Sequence, residues 1–144
     1  NIMKKILITC YILLIAFFAQ AQSTDILGKW MTIDDESGQA KSIVEIFKKS
    51  DGKYYGKIVK LLQKPENENC VNCKDDRKNK PLLGLEIIRG LKKEGNEYTA
   101  GNITDPKSGK TYKCTITRDG DKLNVRGYMG FSLIGRTQTW TATK

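Results

Sequence analysis

Cys70 and Cys73 have two residues between them, a spacing that suits a redox dithiol, half of a metal site or a short disulfide. A redox pair belongs at the start of a helix in a βαβ setting, where the helix N-terminus lowers a thiol pKa. Segment 63–81 offers no such setting. It is long, polar and rich in Asn, Lys and Asp, with Pro65 and Pro81 toward its ends, and reads as a loop kept for a purpose. Zinc would need two more soft ligands, and apart from Cys10 in the N-terminal apolar run only Cys114 is on offer. A Cys70–Cys73 disulfide that tightens the loop in an oxidising compartment is therefore expected. Cys114, beside Tyr112 and Ile116, reads as a small buried apolar residue.

The chain has no histidine. Ser-His-Asp and Cys-His nucleophiles are excluded, as is every zinc site that needs imidazole. Asp34-Asp35-Glu36 gathers three carboxylates, but their spacing matches no calcium loop and the run ends in Ser37-Gly38, the chemistry of a solvated turn. Asp105 stands before Pro106 and near Tyr112, an invitation to a catalytic reading. Asp-Pro followed by Gly109 is also an ordinary turn in which the aspartate accepts backbone hydrogen bonds, and no second carboxylate lies at a spacing for glycosidase chemistry. No catalytic residue, metal site or cofactor is expected.

The arginine and glutamine near the C-terminus are the other polar groups to place. Two β-prone runs, 122–129 and 134–142, flank a connection with Gly127, Gly130 and Gly135 and read as a hairpin. In the second run Thr137, Thr139, Thr141 and Thr143 alternate with Ile134, Arg136, Gln138 and Trp140. A period of two sends the threonines to one face and Trp140 to the other. With Trp140 inward, Arg136 and Gln138 travel with it, and inward polar groups must be paired. Arg136 is expected either to lock onto protein groups or to face an acidic or carbonyl-bearing ligand.

The elements that must position these residues follow from turn chemistry. Lys4 and Lys5, an apolar run over 6–18 and Ala19-Gln20-Ala21 compose a secretory signal, so residues 1–21 are expected to be cleaved and the exported part to begin at Gln22. Asn1 and Ile2 precede Met3, which reads as the initiator. The apolar run is shorter than the roughly 20 residues a membrane span needs, and no second one follows. Residues 22–144 suit one domain. Strands are expected over 28–33, 41–48, 53–62, 84–92, 97–104, 110–118, 122–129 and 134–142, separated by turn signals such as Ser50-Asp51-Gly52, Gly95-Asn96 and Asp119-Gly120. About eight strands without an amphipathic helix make an all-β, antiparallel up-and-down sheet. Such a sheet closes into a small barrel, wide enough for packed side chains or one small ligand.

Without Lys4 and Lys5 the 25 basic residues fall to 23 against 16 acidic, a net charge of +7. The lysines are scattered, with no aromatic-interleaved basic motif, so nucleic acid is not an expected partner. They read instead as a soluble surface with lysine-guarded edges.

Taken together, Gly28-x-Trp30, Cys70-x-x-Cys73, Pro81-Leu82-Leu83-Gly84, Gly101 with Asp105-Pro106 and Gly109-Lys110-x-Tyr112, Arg126-Gly127-Tyr128-x-Gly130 and Gly135-Arg136-Thr137-Gln138-x-Trp140 resemble the exported bacterial family Domain of Unknown Function 2147 over nearly all of residues 27–142. The resemblance implies a lipocalin-like or streptavidin-like β-barrel and brings no established activity or catalytic residues. Gly28-x-Trp30 with an arginine on the last strand is also similar to the lipocalin arrangement in which that Arg packs over that Trp at the closed end. Arg136 is the matching position.

The expected protein is a non-catalytic barrel, periplasmic or secreted, that binds a small amphiphilic or acidic ligand or an envelope component. A protein-interaction module using loop 63–81 is the alternative, and an enzyme acting on a lipid or cell-wall fragment the third reading. The candidate ligand-binding or locking residues are Trp30, Tyr112, Arg126, Tyr128, Arg136, Gln138 and Trp140.

Overall fold

The computed structural model describes residues 1–6, 23–130 and 135–143. Apart from Ile6, the apolar run and cleavage signal of the expected leader, with Cys10, fall on residues 7–22 and lie outside the described residues, as do 131–134 of the last connection. Among the described residues no helix is long and apolar enough to cross a membrane.

Among the described residues eight strands follow in order: β1 (Gly28–Ile33), β2 (Ala40–Lys48), β3 (Tyr54–Leu61), β4 (Glu86–Glu94), β5 (Glu97–Thr104), β6 (Thr111–Asp119), β7 (Lys122–Tyr128) and β8 (Gly135–Ala142). Each pairs antiparallel with the next, and β1 pairs with β8 to close a barrel. Local chemistry sets the corners. In the β2–β3 turn the Asp51 carboxylate accepts from Lys53 N at 2.9 Å, and Gly52 takes a φ of 80°, where a Cβ would be strained. The largest departure from the expected bounds is β4, which starts at Glu86 although its sequence turns strand-like at 84. Gly84 N donates to Ile58 O and Ile58 N to Leu85 O, so residues 84–85 are already held against β3, but through an irregular register that delays the ladder.

Alternation fills the interior from one end. Ile26, Trp30, Trp140, Tyr98, Leu91, Ile116 and Leu123 are buried where residues 23–27 enter and the β2–β3, β4–β5 and β6–β7 turns lie. Trp30 Nε1 donates to Ile26 O at 2.9 Å, which draws the N-terminal segment across this end as a plug. Tyr54 meets Tyr98 edge to face, centroids 4.9 Å apart. Gly101 is obligatory here: a Cβ would come within 2.8 Å of Leu91 Cδ2 and of Arg89 O. At the opposite end lie turn 34–39, loop 62–85, turn 105–110, the end of β7 and the start of β8. Buried polar groups enter the interior there, with Thr32 and Ser42 buried and their hydroxyls 2.7 Å apart.

Candidate functional site

The loop-bearing end carries a chain of hydrogen bonds that runs from the core to the rim. Trp140 Nε1 donates to Gln138 Oε1 at 3.0 Å, Gln138 Nε2 donates to Asp35 Oδ2 at 2.7 Å, and Arg136 Nη2 reaches the same oxygen at 2.6 Å. An indole N–H can only donate, so it fixes which end of the Gln138 amide faces the core and leaves the amide N–H group facing the mouth. Half-buried Tyr112 and Ile103 share this interior face with Gly127, whose Cβ position lies 3.5 Å from both. Among the described residues no group of His, Cys, Asp and Glu is arranged to hold a metal ion.

Loop 62–85 is clamped to the barrel's outer wall. Cys70 and Cys73 form a disulfide with Cα atoms 5.4 Å apart, and both are buried. Beside it, Asn72 Nδ2 donates to Lys107 O at 2.8 Å, and the Gly109 Cβ position would fall 1.8 Å from Asn72 O, an approach that only glycine permits. Arg77 is buried, donating to Glu86 O at 2.8 Å and to both oxygens of Asp75. The Arg77 guanidinium holds the Asp75 carboxyl far below the usual carboxylate range. Arg89 grips Asp76 in bidentate fashion at 2.8 and 2.9 Å, which lowers the Asp76 pKa in the same way. Between the loop and β2–β4 runs an open cleft of about 520 Å³, lined by Phe47, Lys57, Lys80, Leu83 and Arg89 among others. Lys57 lies over the Phe47 ring at 4.9 Å.

The lock at the closed end exists, but a different arginine makes it. Arg118, on β6, lies 5.1 Å from the Trp30 ring centroid, donates through Nη1 to Asp25 O at 2.6 Å and through Nε to Gly120 O at 2.8 Å. Arg136 is exposed and paired with Asp35 instead. Register gives the reason: Trp30 sits opposite Ala142, six residues along β8 from Arg136. At roughly 3.3 Å per residue those two positions are about 20 Å apart, beyond the reach of any side chain.

The family model described as an uncharacterized protein conserved in bacteria (DUF2147) matches residues 28–142. The chain belongs to that family. Protein HP1028 from the human pathogen Helicobacter pylori, described as belonging to the lipocalin family, has a similar structure, with a TM-score of 0.74 over 85% of each chain at 20% identity. That likeness is one of fold. No curated protein matches the chain.

In this DUF2147 chain the seven candidate residues divide among three places. Gln138 and Arg136 meet at the mouth, with Tyr112 on the same inner face; Trp30 and Trp140 are buried in the core. Arg126 and Tyr128 fall on the outer face of β7, because their neighbours Val125 and Gly127 point inward, and Arg126 reaches Thr137 Oγ1 at 3.4 Å. Sequence reasoning passed over Arg118 and the ion pairs that clamp loop 62–85. An arginine before an Asp-Gly turn carries no local sign of what it covers. For Asp35 a signal was available, since its acidic turn must lie at the same end of an up-and-down barrel as the start of the last strand.

Proposed function

We propose that this protein is an exported, non-catalytic barrel that receives a small amphiphilic or acidic molecule at its loop-bearing end. One observation carries the reading: the packing is polarised. Large side chains, a plug segment and Arg118 seal one end, whereas the other presents converging donors, small polar residues and the half-buried Tyr112 and Ile103. Small-ligand sites combine an apolar wall with a few placed polar groups, and eight-stranded barrels hold at most one such ligand. Mass spectrometry of the protein purified from its native envelope tests this. The expected result is an intact mass beginning at Gln22 together with a small molecule released by solvent. Ligand-free protein that also fails to bind added amphiphiles would overturn it.

A second reading has its own support. Val71 and Leu83 are exposed, at 42% and 58%, on a loop held rigid by a disulfide and two Arg–Asp pairs. Apolar residues on a rigid loop suit a protein partner. A photo-crosslinker at Leu83 that yields one discrete adduct in cells, in protein carrying no small molecule, would favour this reading.

A further inference from the structure

The Asp35 carboxylate occupies a site rather than merely decorating a turn. Its Oδ2 collects two donors from β8, Arg136 Nη2 at 2.6 Å and Gln138 Nε2 at 2.7 Å, and Trp140 fixes the orientation of the second from within the core. A cation and an oriented amide converging on one carboxylate oxygen form an anion site built in advance. The segment that fills it is lightly tied to β8. β1 pairs with β8 only at Trp30–Ala142 and Met31–Thr141, and the β1–β2 register shifts between Thr32 and Ile33, so above Met31 side-chain bonds alone join turn 34–39 to β8 among the described residues. The turn is also self-contained. Asp34 Oδ1 accepts from Glu36 N and Ser37 N, each at 2.9 Å, and Asp34 N donates to Gln39 O at 2.8 Å, so it can swing as a unit without losing internal bonds.

We infer that Asp35 is a built-in stand-in for the carboxylate of a single-chain acidic amphiphile, which displaces it from Arg136 and Gln138 and lays its apolar tail toward Tyr112 and Ile103. The inference rests on the mouth being the ligand site and adds the chemistry of the head group. Occupation by Asp35 lowers apparent affinity by the fraction of molecules that are closed, so removing the competitor tightens binding.

Dodecanoate, dodecyl phosphate and dodecanol are titrated into the full exported protein and its Asp35→Asn, Asp35→Ala and Gln138→Leu variants by calorimetry. Dodecanoate is expected to bind Asp35→Asn and Asp35→Ala about threefold to tenfold tighter than the parent, the span set by one exposed ion pair and one hydrogen bond. It should bind Gln138→Leu more weakly, with dodecanol indifferent to all three changes. Equal gains for dodecanol, or none for dodecanoate, overturn the inference while leaving the mouth as a ligand site. Tightening confined to dodecyl phosphate overturns the carboxylate assignment. Binding of none of the three overturns the site reading along with it.

Discussion

Arg118 and Arg136 show how little the type of a residue says about its energetic weight. Arg118 covers Trp30 and satisfies two backbone carbonyls that nothing else among the described residues satisfies, Asp25 O and Gly120 O. Arg136 makes an exposed ion pair, and exposed pairs contribute roughly 0–1 kcal/mol. Arg118→Ala is therefore expected to cost about 1–3 kcal/mol in urea unfolding and Arg136→Ala less than about 1 kcal/mol. Arg118→Lys should recover only part of the loss, because an ammonium cannot both stack on the indole and span two carbonyls. Equal costs for the two alanine variants would refute the assignment of the lock.

Loop 62–85 is an element whose order comes from outside itself. The disulfide closes a loop of only three residues in separation, so its chain-entropy contribution is less than the roughly 3 kcal/mol of a 15-residue loop. What the bond does is hold the Asn72 carbonyl and amide against turn 105–110. Gly109→Ala is expected to be worse than loss of the disulfide, since it drives a Cβ into Asn72 O and places alanine at a φ of 74°, a cost of about 1–3 kcal/mol. Hydrogen exchange should show both variants opening loop 62–85 and turn 105–110 while β1–β3 and β6–β8 stay protected. Faster exchange throughout the barrel would mean that the loop is part of the cooperative core.

For the molecule as a whole, the groups through which pH acts include one buried thiol and two clamped carboxylates. Burial pushes the Cys114 thiol up from an ordinary 9.0 to about 12. The folded chain keeps a proton that the unfolded chain releases, so stability is full below about pH 9 and falls between 9 and 12 by about 1.4 kcal/mol per pH unit. Cys114→Ala should show a smaller alkaline slope by that amount, and iodoacetamide should label Cys114 only in denaturant. An unchanged slope would contradict a buried neutral thiol. On the acid side the shifts of Asp75 and Asp76 have the opposite sign: their contributions are present above the unfolded carboxylate range and disappear only as pH falls through the lowered folded values. The clamp on the loop should accordingly outlast moderate acidification.

Alternation and turn chemistry are properties of a few neighbouring residues, and for that reason the sequence by itself determined the eight strands, their order and the inward Trp140, while the C-x-x-C spacing pointed to the Cys70–Cys73 pairing. Gly52 needs no distant partner to make a corner, and Trp140 is inward whatever lies opposite. Register across the closing seam is another matter. Whether Trp30 meets Ala142 or a residue nearer Arg136 depends on the barrel's stagger, which is a sum over all eight strand pairs and leaves no local mark. Stagger assigned the lock to Arg118, left Arg136 at the rim and brought Asp35, more than a hundred residues away in the chain, onto Gln138. Contacts of that separation were decided only when the sheet closed.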